Sequence, residues 1–265
     1  MISTTALLTS SPRKPGRTGQ NSDNSAKLFV LVHGAWMAPY VWNEVKLLLE
    51  NSGHRVMAVE LPGHGTDKTS PATITMDLYK NAVIAALATT DRKVILVGHS
   101  LAGMVISAVA EQIPGKIKKL VYIAALVPLN GQAALDLASK DLGSLLGPSL
   151  LPSEDNLTLD VNRSDLIGIF CADAPKDKQQ LMLLNYRPEP AAPFADKLTL
   201  SGKNFGRVDK AYIHTLSDHG ITMSLQNEMV KAAGIRETYS LNSSHAPFLS
   251  MPGQLAETLL IISGR

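Results

Sequence analysis

The sequence predicts an α/β fold in which a mainly parallel sheet carries helices on both faces. Short runs of apolar, strand-forming residues alternate with longer segments of helical spacing, and Gly or Pro turn signals separate the two. The predicted strands are apolar almost throughout, which is typical of strands buried on both faces of a parallel sheet. The chain has 265 residues, 45% of them hydrophobic, which is enough for one large core.

Each predicted strand is a short run that ends at a turn signal, as at Gly34 after the first and at 62–63 (Pro-Gly) after the second. Repeated strand–helix–strand units join parallel strands by right-handed crossovers, so we expect one sheet with two helical layers. The predicted strands cover residues 27–33, 55–60, 93–97, 119–124, 210–215 and 236–241. The predicted helices cover residues 41–51, 75–88, 101–113, 225–233 and 253–262.

The alternation of predicted strands and helices is interrupted between the fourth and fifth strands. Residues 128–206 contain seven prolines and only fragments of helical spacing, at 133–146 and 176–185. We expect this segment to be a helical lid, inserted between two parts of one core at 27–127 and 207–265. Ligand sites of open parallel sheets lie at the carboxyl ends of the strands, so such a lid would roof the site.

Composition narrows the class of function. The formal net charge is +2 and the basic residues cluster only at 116–119, so neither nucleic acid nor an anionic membrane is an expected partner. Cys171 is the only cysteine, which predicts no intramolecular disulfide, no Cys/His zinc site and a cytoplasmic location. No apolar run approaches the roughly 20 residues that cross a bilayer. We expect residues 1–26 to be a flexible leader, and the alternative is a signal peptide.

The segment 94–103 (VILVGHSLAG) carries the strongest chemical signal. A buried strand leads directly into Ser100, and a helix follows at once. A serine nucleophile has to sit on a sharp, strained turn, and that backbone leaves room only for small residues two positions to either side. Gly98 and Ala102 meet this requirement, although glycine is commoner than alanine at the second position. The strand–turn–helix context favours a nucleophile over a serine that merely caps its helix.

Two backbone N–H groups are predicted to form an oxyanion hole. That of Leu101 lies at the positive end of the following helix, where an oxyanion would form. The second is expected from the loop after the first strand, where Gly34 permits close approach to a substrate and the N–H of Ala35 is the candidate donor. His33 ends that strand, so we expect it to hydrogen-bond structurally rather than to act as the base.

The catalytic base must reach Ser100 from the end of another strand. His245 follows the sixth strand and precedes the last helix, the expected place of the third triad member in the chain order Ser, Asp, His. Asp218 follows the fifth strand at its carboxyl end and is the predicted orienting acid. Asp209 precedes the same strand and would lie at the wrong edge of the sheet.

The other histidines are less well placed. His219 is the nearest rival of His245 because it shares the loop of Asp218, but adjacent residues seldom point to the same place. The rest are expected outside the site: His54 and His64 in surface turns, His214 within a strand, and His99 with its ring turned away from the serine.

These residues resemble the α/β-hydrolase fold family, in particular the group of plant methylesterases, hydroxynitrile lyases and related bacterial carboxylesterases that include pyrethroid hydrolases. The resemblance covers residues 27–264 and is weakest in the lid. It rests on segments 29–36 (FVLVHGAW), 60–67 (ELPGHGTD), 98–103 (GHSLAG), 121–128 (VYIAALVP), 212–220 and 244–247. It implies the triad Ser100, Asp218 and His245, the oxyanion donors Ala35 and Leu101, and no cofactor.

The resemblance also bears on the substrate pocket. It implies that Trp36, Leu126 and residues of the lid join Gly34 around the acyl or alcohol group, with plain core packing as the alternative for each. Because the lid supplies mostly Leu, Met, Pro and Phe, we expect a mainly apolar pocket.

The same resemblance helps to choose among reactions. Hydroxynitrile lyases of this group carry a lysine just after the catalytic histidine, where this sequence has Ala246. They also carry a hydroxyl residue in the loop that here reads Gly34-Ala35. We therefore expect a serine hydrolase that cleaves a small-molecule ester or lactone through an acyl-enzyme. The alternatives are a lyase-like or other cofactor-free enzyme on the same triad, and a non-catalytic small-molecule receptor. The sequence leaves a homodimer open.

Overall fold

The computed structural model describes residues 26–264, so the predicted leader lies outside the described residues except for its last position. In chain order the strands are β1 (Leu28–Val32), β2 (Arg55–Val59), β3 (Val94–His99), β4 (Ile117–Ile123), β5 (Leu150–Pro152), β6 (Thr158–Val161), β7 (Glu189–Pro190), β8 (Lys210–Thr215) and β9 (Glu237–Leu241). The six strands predicted from the sequence are confirmed to within two residues at each end.

Six of these strands form one parallel sheet in the order β2-β1-β3-β4-β8-β9. The central strands β1 and β3 are buried along their whole length, as their unbroken apolar sequences predict. The edge strand β9 alternates between partly buried and exposed positions before the buried Leu241, because successive side chains of a strand point to opposite faces of the sheet. The predicted mainly parallel sheet is therefore confirmed.

Helices cover both faces of this sheet. They are α1 (Asn43–Asn51), α2 (Met76–Ala88), α3 (Ala102–Gln112), α4 (Ala134–Ala138), α5 (Leu146–Ser149), α6 (Leu166–Phe170), α7 (Lys176–Asn185), α8 (Ala192–Ala195), α9 (Met223–Ala232), α10 (Pro247–Ser250) and α11 (Pro252–Gly264). Nine consecutive residues of α3, from Ala102 to Ala110, are buried, so this helix is central to the core. Among the described helices, none is both long and apolar enough to cross a membrane.

We call residues 128–206 the cap segment. It contains α4 to α8, and the predicted fragment 176–185 is α7. Besides these helices, the cap segment contains a small antiparallel sheet of β5, β6 and β7, which the expectation of a helical lid did not include. These strands have two to four residues each, too few to produce a period-2 pattern, and the turn between β5 and β6 places Asn156 at a φ of +58°.

The order of the strands locates the site. From β1 the chain passes to β2 on one side and then returns across β1 to β3 on the other. Loops after β1 and β3 therefore diverge and leave a crevice between them, which is where ligands bind in open α/β sheets. Ala35 follows β1 and Ser100 follows β3, so the fold places both at this switch point.

Candidate active site

Ser100 occupies the sharp turn between β3 and α3 with a φ of +54°. A left-handed conformation is unfavourable for a residue with a side chain, so neighbouring contacts have to hold it. Its N–H donates to the Ile123 carbonyl at 3.3 Å, and its carbonyl accepts from the N–H groups of Gly103 at 3.0 Å and Leu126 at 3.1 Å. The strained turn is thus tied to β4 and to α3.

Small residues around the turn are required by close backbone packing. A methyl group at position 98 would lie 2.8 Å from the Ala102 carbonyl oxygen, and one at position 103 would overlap the Leu126 carbonyl oxygen. Both distances are shorter than real contacts of a Cβ. The glycines that flank the serine in the sequence are therefore needed for the turn itself.

His245 and Asp218 lie together at the carboxyl ends of β9 and β8. His245 Nδ1 is 2.8 Å from Asp218 Oδ2 and 3.0 Å from Oδ1, and both side chains are buried. Since a carboxylate can only accept, Nδ1 carries a proton, and in the neutral form of the ring the lone pair is on Nε2. That is the tautomer that a general base needs.

The carboxylate of Asp218 is fixed by further donors. Oδ1 accepts from the N–H groups of Gly220 and Ile221 at 2.8 and 2.9 Å. Oδ2 accepts from the Thr215 hydroxyl at 2.7 Å and from the Gln226 amide at 3.3 Å. These bonds stabilise the negative charge and leave the carboxylate one orientation towards the histidine.

His219 lies elsewhere. Its Nδ1 donates to the Gly168 carbonyl at 2.9 Å and its side chain is exposed, so the structure brings His245, and not His219, to Asp218. Asp209 precedes β8, at the opposite end of that strand from Asp218.

His99 joins the nucleophile turn to the histidine loop. Its Nε2 donates to the His245 carbonyl at 2.8 Å, and the two rings lie 4.6 Å apart between centroids. Burial holds the pKa of His99 well below its ordinary value, so the ring is neutral. The sequence shows only that this residue adjoins Ser100, and its contact across 146 residues of chain was not predicted.

The loop after β1 passes directly over the serine. A methyl group at position 34 would lie 2.8 Å from Ser100 Cβ, so only glycine fits there. Ala35 and Leu101 line the same cavity as Ser100. Within residues 26–264, neither backbone N–H of this pair has a hydrogen-bond acceptor. Both are thus available to a bound group.

His33 makes structural hydrogen bonds, as the sequence predicts. Its Nδ1 donates to the Gly34 carbonyl at 2.9 Å, and its Nε2 accepts from the Leu61 N–H at 3.2 Å. Burial, with His64 nearby, lowers the pKa of His33 to about 3, so the ring stays neutral.

A cavity of about 310 Å³ opens above Ser100, between the sheet and the cap segment. Trp36 and Leu126 line it, as the resemblance implies, whereas Gly34 lies against the turn and is not part of the wall. Asp141 is the one charged residue among the described lining residues, and both its oxygens accept bonds from Thr222. The rest of the wall is mainly aliphatic and aromatic: Leu101, Leu135, Leu142, Leu146, Pro148, Leu150, Leu159, Phe194, Ile221 and Leu225.

His64 was expected in a surface turn, and that prediction is wrong. It is 1% exposed, and its Nε2 lies 2.7 Å from Oε2 of Glu189, a cap-segment residue that is fully buried. The turn itself is at the surface, but its histidine points inward beneath the cap segment. Neither residue of this pair could be recognised from the sequence, because 125 residues separate them.

Comparison with known proteins places the chain among α/β hydrolases. The sequence matches the α/β hydrolase family over residues 29–258. An Arabidopsis thaliana protein named "Putative methylesterase 13, chloroplastic" is 35% identical over 253 residues, and the match covers 91% of this chain but 57% of that longer protein. The chain thus spans little more than half of that relative.

Two solved structures share the fold over most of the chain. The structure of polyneuridine aldehyde esterase is 25% identical, with a TM-score of 0.81, and the match covers 90% of this chain and 99% of that one. A pyrethroid hydrolase from Sphingobium faniae JZ-2 is 26% identical, with a TM-score of 0.78, over 90% of this chain and 98% of that one. With the family match over most of its length, this chain belongs to the α/β hydrolase family.

Proposed function

We propose that this protein is a serine esterase that hydrolyses uncharged, mainly apolar esters or lactones. The observation that carries the proposal is a combination at one switch point, beside an apolar cavity. It consists of a strained Ser100, the buried His245–Asp218 pair and two N–H groups that have no acceptor among the described residues. Each part is what acyl transfer requires, and together they fit a nucleophile, its base and an oxyanion hole.

The proposed reaction has two stages, formation of an acyl-enzyme and its hydrolysis. His245 Nε2 takes the proton of Ser100 Oγ as that oxygen attacks the ester carbonyl carbon. The N–H groups of Ala35 and Leu101 bind the oxyanion of the tetrahedral intermediate. The C–O bond then breaks, the alcohol leaves with the proton from His245, and the acyl group stays on Ser100. Water, deprotonated by His245, attacks the acyl-enzyme and releases the acid.

Asp218 keeps the base in the required tautomer. Its buried carboxylate accepts from Nδ1, so the proton that His245 gains arrives on Nε2, on the side away from Asp218. The imidazolium formed during attack is stabilised by that same negative charge.

The cavity supports the choice of substrate. Apolar walls favour an uncharged acyl or alcohol group through the removal of apolar surface from water. With Asp141 its one charged lining residue, the described wall offers no cation to hold a carboxylate. The relatives bear names that agree with this: methylesterase, polyneuridine aldehyde esterase and pyrethroid hydrolase.

A lyase reaction has less support. Position 246, directly after the histidine, is a fully buried alanine, and no lysine stands among the described lining residues to hold a cyanide leaving group.

The test is hydrolysis of p-nitrophenyl acetate and butyrate by wild type, Ser100→Ala and His245→Ala. Two controls match these variants. Ser139→Ala removes another serine hydroxyl that lines the same cavity, and His219→Ala removes the rival histidine, which bonds Gly168 instead. We expect both triad variants to lose on the order of 10⁴-fold or more in kcat, with the controls within a few fold of wild type.

Two results would reject the proposal. One is a wild type that hydrolyses neither these esters nor a panel of longer apolar esters and lactones above the Ser100→Ala background. The other is a loss that follows His219→Ala in place of His245→Ala, since the geometry gives His219 no part in the chemistry.

A further inference from the structure

Trp36 has a strained backbone in the loop that carries Ala35. Its φ is +60°, in the left-handed region that is unfavourable for a bulky side chain. This angle sets the course of the chain through Trp36, which directly follows Ala35, and so helps to fix the conformation of the loop that carries the Ala35 N–H. Something outside the loop has to stabilise the conformation.

Both N–H groups of Trp36 are bound by the cap segment. The backbone N–H donates to Glu189 Oε2 at 2.8 Å, and the indole Nε1–H donates to the Leu159 carbonyl at 2.8 Å. The ring also packs against Phe170 and Phe194, at 5.6 and 5.8 Å between centroids. The loop therefore receives its conformation from residues that lie more than 120 positions later in the chain.

Glu189 is buried completely, yet each of its oxygens is satisfied. Oε2 also accepts from His64 Nε2 at 2.7 Å, and Oε1 accepts from the Tyr79 hydroxyl at 2.8 Å. His64 Nδ1 lies 3.0 Å from the Pro62 carbonyl, so both ring nitrogens face acceptors and the ring is an imidazolium.

The positive charge of His64 and the negative charge of Glu189 stabilise each other. Burial alone would lower the pKa of His64 and raise that of Glu189. Their mutual attraction and hydrogen bond outweigh burial, so the pKa of His64 is raised and that of Glu189 is lowered. A charged acceptor binds an N–H about twice as strongly as a neutral one.

We infer that Glu189 is a positioning residue for the oxyanion hole: the buried Glu189–His64 pair holds the Trp36 N–H and thereby directs the N–H of Ala35 at Ser100. The pair can stabilise the fold as well, but a buried ion pair is often no more stabilising than apolar packing of the same volume, so stability alone does not account for it. The inference rests on the proposed function, because it assigns a part in acyl transfer.

The test compares Glu189→Gln and Glu189→Ala with wild type and with Glu154→Ala, an exposed carboxylate in the same cap segment. Glutamine keeps a carbonyl acceptor but not the charge, and alanine removes both. We expect kcat for p-nitrophenyl butyrate to fall about 3–10-fold for Gln and about 30–300-fold for Ala, with KM within about threefold. The reason is that the oxyanion develops in the transition state and the tetrahedral intermediate and is absent from the bound ester. Glu154→Ala should match wild type.

A second readout does not depend on turnover. Amide hydrogen exchange over residues 33–38 of the resting protein should be faster in Glu189→Ala, intermediate in Glu189→Gln and unchanged in Glu154→Ala. If Glu189→Ala does not fold, Glu189→Gln decides the question through the same two measurements.

The inference is overturned if kcat and the exchange rate of the folded Glu189 variants equal those of wild type, or if the loss appears in KM alone. A wild type that cleaves no ester defeats the proposed function instead. In that case, amide hydrogen exchange over residues 33–38 in wild type and the Glu189 variants still shows whether Glu189 holds the loop.

Discussion

Gly34→Ala tests how closely the oxyanion loop must approach the nucleophile. The added methyl group would lie 2.7 Å from His99 Nδ1 and 2.8 Å from Ser100 Cβ. Ordinary van der Waals contact begins at 3.4 Å, so the loop or the turn has to move by about 0.6 Å relative to Ser100 Cβ and about 0.7 Å relative to His99 Nδ1. The turn is poorly able to yield, because Ser100 is bonded to β4 and the His99 ring to the His245 carbonyl.

The displacement therefore falls on the loop and carries the Ala35 N–H away from the oxyanion position. Misplacement by about 1 Å can reduce a rate about 100-fold, and loss of one oxyanion donor about 100- to 1,000-fold. For a shift of about 0.6 Å we expect kcat for p-nitrophenyl butyrate to fall about 10–100-fold with little change in KM. Overpacking should also lower the stability by about 1–3 kcal/mol.

The matched control is Gly202→Ala, where an added methyl group meets nothing within 4 Å. Steady-state kinetics well below the Tm of every variant separates the effect on rate from that on stability. A kcat for Gly34→Ala within twofold of the control, in a protein that is folded, would refute the close approach of loop and serine.

Three further predictions follow from the site. Asp218→Asn should lower kcat on the order of 10³–10⁴-fold, because His245 loses the charge that orients it and stabilises its imidazolium; a loss below tenfold would contradict this role. The pKa of His64 is raised in the folded protein, so its charge stabilises the fold fully below about pH 6.5, and this stabilisation is lost as the pH rises through the folded pKa. The pKa of Glu189 is lowered, so this partner stays ionised above about pH 4.5. The Tm gap between wild type and His64→Gln should therefore narrow towards alkaline pH, and a gap that widens would be inconsistent with the ion pair. Phe194→Ala removes a ring from the cavity wall and should raise kcat/KM for p-nitrophenyl octanoate relative to the acetate; an unchanged ratio would place the acyl chain elsewhere.

Much of the site could be predicted because its parts are local. Ser100 is recognisable from a strand, a turn and a helix that are contiguous in the chain, and those short-range preferences survive in the structure. His245 and Asp218 were predicted from the order of strands, since the carboxyl ends of parallel strands share one edge of the sheet. Their contact at 2.8 Å is what this topology implies.

The missed contacts around the site join residues that are distant in sequence. Glu189 meets Trp36 across 153 residues and His64 across 125, and no local pattern encodes either contact. The burial of His64 depends on the cap segment, which the sequence describes least well. The predicted helix at 133–146 shortens to α4 because side chains beyond it bond the loop after β8, as Asp141 does to Thr222.

The central claim is that acyl transfer passes through Ser100, and trapping the acyl-enzyme tests it most directly. Wild type mixed with p-nitrophenyl acetate and quenched in acid within milliseconds can be digested with trypsin and analysed by mass spectrometry. We predict an acetyl group on the tryptic peptide 94–116, at Ser100, and none on that peptide in Ser100→Ala. Turnover without any acyl group on this peptide, or with the group on another residue, would contradict the account.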